Sequence, residues 1–182
     1  MHPKIQEWEN ELNALTAQFK SSFSQLSVAE LNYKPEPDSW SIAEILDHII
    51  KINESYYPTV KQARQGTLKL PFVSRFSFFT NLLGNLILKS VEPERKKRIK
   101  TFSIWEPSKS HFDVSILERF EKHQREFINF IKSTDDLLQK GIIISSPANK
   151  LIVYKLENAF DIIVSHEKRH YNQALEVQES LK

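Results

Sequence analysis

The chain has 182 residues, of which 40% are hydrophobic and 26% charged, and its net charge is +2. That size predicts a single domain spanning 1–182, large enough to bury a core without covalent staples. The absence of cysteine excludes a disulfide framework, a thiolate metal site and a cysteine nucleophile, and the small net charge offers no general attraction for nucleic acid. The first eight residues, Met1 to Trp8, contain no apolar signal-peptide core. The uncharged stretch Phe76 to Leu88 falls short of the roughly 20 apolar residues a spanning helix needs. A cytoplasmic protein without a membrane anchor is therefore expected.

Only Gly66, Gly84 and Gly141 supply glycine, which argues against turn-dense β folds and glycine-rich phosphate loops. The first helix is predicted from Pro3 to about Leu26, because Trp8, Leu12, Leu15, Phe19, Phe23 and Leu26 recur at steps of three and four. Ser27 and Glu30 have capping-box spacing and predict a short helical turn. Pro35 and Pro37 then interrupt the chain. A second helix is predicted from Ser41, capped through Glu44, with the stripe Ile42, Ile45, Ile49, Ile52 and Tyr56. Pro58 is a candidate kink and Gly66 a candidate stop.

Residues 67–112 form a long connection, and connections of that length usually have a role of their own. Its apolar half, Phe72 to Leu88, has helical spacing. It predicts either a helix covering the bundle or a dimer seam, or a lid over a hydrophobic pocket. The run Arg95-Lys96-Lys97-Arg98 reads as a solvated face rather than a nucleic-acid patch, and residues 101–107 read as extended. A third helix is predicted over Asp113–Lys132, an extended link over Ile142–Val153, and a last helix over Lys155–Ser180. Four long amphipathic helices with one long crossover make an all-α four-helix bundle, an architecture that builds metal sites between facing helices.

The strongest chemical signal is His166-Glu167-Lys168-Arg169-His170. Residues four apart share a helix face, so both imidazoles can address one cation. The letters match the zinc-protease pattern HExxH, in which the glutamate is the general base. Glu167 lies about 100° around the helix from His166, however, and is expected outside the metal's immediate shell. His48, at the edge of the second helix's apolar stripe, is the expected third ligand; the alternative is a core histidine bonded to a neighbour. His111 in a loop, His123 on a solvated face and the terminal His2 are weaker candidates. Glu44, one turn before His48, is either a partner for that ring or only a capping glutamate. Gln173, three residues beyond His170, is a second candidate partner. Three neutral imidazoles leave a divalent ion with open positions, the pattern of catalytic sites. Imidazole suits zinc or nickel equally.

Several of these pieces, taken in order, resemble the DinB/YfiT-like family of metalloenzymes. They are Leu31-Asn32-Tyr33-Lys34-Pro35, Trp40 to His48, Thr101-Phe102 with Pro107, Ser146-Pro147, and His166 to Gln173. The resemblance implies a bundle in up-down-down-up order, frequent homodimers, and three histidines on one divalent metal, falling here on His48, His166 and His170. It also implies kinship with thiol-dependent transferases and isomerases. The expected function is thus a metal-dependent hydrolase or thiol-dependent transferase acting on a small molecule, with a low-molecular-weight thiol as the candidate cosubstrate. The alternative is a noncatalytic metal-containing binding or interaction protein.

Overall fold

The computed structural model describes residues 1–75, 77–92 and 101–181. It is all-α apart from one small hairpin. Four long helices dominate: α1 (Lys4–Phe23), α3 (Ile42–Arg64), α5 (Ser115–Ser133) and α7 (Leu156–Glu179). Shorter helices are α2 (Val28–Leu31), α4 (Ser77–Ser90) and α6 (Asp135–Gln139), and 3-10 turns occur at Phe72–Arg75 and Ser103–Trp105. The stretch expected to be a plain link folds as strands β1 (Ile143–Ser145) and β2 (Val153–Lys155), paired antiparallel. The basic run at Arg95–Arg98 lies outside the described residues. No helix among the described residues is long and apolar enough to cross a membrane.

Local chemistry explains the helix limits. Ser27 and Ser41 each open a helix through a reciprocal capping box, with Glu30 and Glu44 as partners. At the end of α3, Gly66 takes φ +67°, a conformation costly for residues with a Cβ. The Thr67 N–H then bonds the Gln62 carbonyl, and the Gly66 N–H that of Ala63, closing the helix in a Schellman motif. Pro58 lies inside α3 rather than ending it.

Side-chain pairs give the helix directions. Lys4 meets Asp161 and Ser22 meets Tyr171, so α1 and α7 run in the same sense. Lys20 meets Glu121 while Lys132 meets Glu9, so α5 runs opposite to α1. Asp47 pairs with Arg119, and Arg64 with the Ser133 carbonyl, so α3 follows α5. Helices α1 and α3 each pack chiefly on α5 and α7. Helix α4 lies across α7 and β2. Gly84 allows that approach, since a Cβ there would sit 3.2 Å from Cγ of Asn158.

The core falls into two apolar clusters along the bundle axis. One gathers Trp8, Tyr56, Phe127 and Phe160; the other gathers Phe19, Phe23, Ile45 and Phe120. Each such buried side chain contributes about 1.5–3 kcal/mol of transfer free energy. Buried polar residues lie between the clusters on α5 (His123 and Gln124) and α7 (Glu167 and His170), and to either side of their junction on α3 (His48 and Asn53). This polar layer holds the chemistry.

Candidate metal centre

The cap at Ser41 sets the rotational phase of α3. Its Oγ accepts the Glu44 N–H at 3.2 Å, and Glu44 Oε2 accepts the Ser41 N–H at 2.9 Å. In that phase His48 points inward and is 1% exposed. Opposite it, His166 and His170 lie one turn apart on α7. His166 Nε2 is 3.4 Å from His48 Nε2 and 2.9 Å from His170 Nε2, and one nitrogen from each of the three rings lies within 4.8 Å of the others.

The donor set fits a metal ion. Metal–nitrogen bonds of about 2.0–2.1 Å in a tetrahedron put ligand nitrogens roughly 3.3 Å apart, close to the spacings seen. The outer nitrogens are committed: His48 Nδ1 donates to the Trp105 carbonyl at 2.6 Å, and His170 Nδ1 donates to Gln173 Oε1 at 2.9 Å. With those protons outward, His48 and His170 each turn an Nε2 lone pair toward His166 Nε2, which can offer one proton at most. At least two lone pairs thus converge, an arrangement a cation satisfies. Burial lowers all three pKa values: His48 falls to about 4, and His166 and His170 fall well below the usual range, helped by their mutual repulsion. The rings are therefore neutral near pH 7, the form that ligates metals.

The surroundings hold this geometry. Asp47, fully buried, accepts the Ser108 N–H at 2.7 Å and pairs with Arg119 at 2.8 Å. The Trp105 indole N–H donates to Ser55 Oγ at 3.0 Å, and Lys51 Nζ donates to the Glu106 carbonyl. The 103–108 segment is thereby tied to one face of α3, which fixes the carbonyl bound to His48. The Trp40 ring lies 4.5 Å from that of His48 and 6.1 Å from that of His170.

The expected site residues separate clearly. His48, His166 and His170 come together, and Gln173 bonds His170. Glu44 is occupied by the cap and by Lys34 at 2.7 Å, and makes no bond to a histidine among the described residues. Glu167 turns away from the histidines into the core, where it accepts from Asn53 Nδ2 at 2.8 Å and Gln124 Nε2 at 2.5 Å. The HExxH letters are present, but the glutamate is not placed as a protease base. His123, read as part of a solvated face, is only 4% exposed and stacks on Phe127. The charged residues around it in sequence obscured its place on the α5 stripe with Phe120 and Phe127. His111 is exposed, and His2 stacks on Trp8. The contributions of Trp105, Asp47 and Trp40 had no spacing signal, since a backbone carbonyl from a loop leaves no mark on a helical pattern.

All three histidines line a cleft of about 1120 Å³, so a ligand can reach them. The chain matches no curated protein and no solved structure. The family profile for the DinB superfamily matches residues 11–174, a span that includes all three histidines and parts of all four long helices. With that match over most of its length, the chain belongs to the DinB superfamily.

Proposed function

We propose that His48, His166 and His170 hold one divalent metal, zinc or nickel, and that the protein is a metal-dependent enzyme acting on a small molecule, as a hydrolase or a thiol-dependent transferase. The observation that supports this reading is the convergence of three Nε2 atoms at the wall of a cleft, with the outer N–H groups of two of the rings bonded away. A divalent ion there would supply Lewis acidity, polarising a carbonyl or acidifying water or a thiol. The chain's own residues then position and exclude. Trp105 and Gln173 fix ring tautomers, and Trp40 shields one side of the ring cluster.

Because the chain has no cysteine, a reacting thiol would be a low-molecular-weight cosubstrate. The carboxylates of Glu44 and Glu167 are engaged elsewhere. That leaves activation of a bound water or thiol to the ion itself. It also favours, as the second reading, a noncatalytic metal-containing binding protein. A cytoplasmic homodimer is part of the proposal, with the exposed Leu82 and Leu86 of α4 as the seam to test by light scattering. Elemental analysis of untagged protein tests the metal: about one ion per chain is expected, lost in His48→Ala at unchanged helix content. Metal-free protein that binds neither zinc nor nickel would refute the reading.

A further inference from the structure

The cleft extends well beyond the histidines. His48, Ile52 and Tyr56 line it from successive turns of α3, and His170, His166 and Ile162 line it from α7, which runs the opposite way. Eight residues of helix separate His48 from Tyr56, a rise of about 12 Å. Between those ends the walls are apolar, formed by Ile52, Ile162 and Ile163 with Ile87 and Val91 from the α4 side. Of the charged lining residues, Glu36, Asp38, Glu44, Lys109 and Glu176 lie on the other side of the histidines in chain position, and Glu106 belongs to the 103–108 segment. Arg169 is engaged by the Ser90 carbonyl at 3.0 Å.

The far end of the arm is polar again. The Tyr56 and Tyr154 hydroxyls lie 2.9 Å apart, buried, and Ser146 lines the same cleft. Two hydroxyls bring two protons to the one hydrogen bond between them, so one O–H remains to donate. Burial pushes both phenols above their ordinary pKa, so this end stays neutral. Among the described residues that line this end there is no cation to match a carboxylate.

We infer that the cleft takes an elongated, largely apolar small molecule, with its head at the three histidines and a neutral hydrogen-bond acceptor, a hydroxyl or carbonyl, against the Tyr56–Tyr154 pair. The position of the head rests on the proposed metal site; the arm and its hydroxyl end do not.

Calorimetric titration of the full chain, metal-free and zinc-loaded, with mercaptopropanol, mercaptooctanol, mercaptododecanol and octanethiol tests this. In both forms mercaptooctanol should bind at least about tenfold tighter than mercaptopropanol, since each buried methylene contributes about 0.8 kcal/mol. The longer dodecyl chain should gain nothing further. The preference for mercaptooctanol over octanethiol should vanish in the Tyr56→Phe/Tyr154→Phe double variant. Ile87→Trp, which fills the arm from α4, should weaken the octyl ligand about tenfold while leaving mercaptopropanol unchanged. Affinity independent of chain length in metal-free protein, or a hydroxyl preference that survives the double variant with its helix content intact, overturns the inference. Failure to take up zinc would instead sink the metal reading, with the chain-length profile of the metal-free protein still decisive for the arm.

Discussion

Replacing Glu167 with glutamine isolates one titrating group in the middle of the bundle. The carboxyl is completely buried between Asn53 and Gln124, and burial raises its pKa from 4.5 to about 7 despite both amide donors. A raised acid pKa makes folding favour the protonated form. The stability from this group is fully present below pH 4.5 and is lost as pH climbs through 7. At about 1.36 kcal/mol per pKa unit the loss amounts to about 3 kcal/mol. Glutamine does not titrate, and the buried Asn53 Oδ1 and Gln124 Oε1 have no partner among the described residues, so a flip of one of those side-chain amides lets it accept from the new one. Urea unfolding of both metal-free proteins, followed by circular dichroism from pH 4 to pH 8, gives the stability difference at each pH. Titrations common to both proteins cancel. The advantage of Glu167→Gln over the parent should grow by about 3 kcal/mol across that range and then level off. A difference that is flat, or that shrinks as pH rises, would refute the placement of an ionisable carboxyl in an apolar setting.

His123 should show the mirror image. Burial holds its pKa near 4, so its contribution is present above pH 6.5 and lost as pH falls toward 4. His123→Phe should gain up to about 3 kcal/mol over the parent at pH 4 and little above pH 7, read by the same unfolding series. Gln173→Leu removes the acceptor on His170 Nδ1 and should weaken zinc binding about tenfold to a hundredfold in a chelator competition. Asp47→Ala frees the segment that presents the Trp105 carbonyl and should lower zinc affinity by a similar factor while far-ultraviolet dichroism stays helical. Ser41→Ala deletes the α3 cap and should cost about 1 kcal/mol in denaturant unfolding.

Periodicity and caps carried most of the fold. The stripe from Trp8 to Phe23 is buried as a face of α1, and Ser41, Glu44 and Gly66 mark the limits of α3. The first helix stops at Phe23 rather than Leu26, because the chain turns ahead of the Ser27 cap. The β hairpin and α6 were not legible, since three-residue strands and a five-residue helix are too short to display a period. In the site, the i, i+4 histidines could be read directly, and His48 followed from its place on an apolar stripe. The Tyr56–Tyr154 pair was invisible because the two residues lie 98 positions apart and meet only once the β1–β2 hairpin packs beside α3 through β1.

The polar layer dividing the two apolar clusters bears on alignment along the bundle axis. Sliding α7 by one turn, about 5.4 Å, would carry Glu167 away from Asn53 and Gln124 and toward phenylalanine rings. Stripping a buried carboxyl of its amide donors in this way costs about 1–3 kcal/mol for each polar group left unsatisfied. Purely apolar neighbours would tolerate such a slip, because one aliphatic contact substitutes readily for another. The same glutamate that faces away from the histidines therefore acts as their depth gauge, keeping α7 at the height where His166 and His170 meet His48.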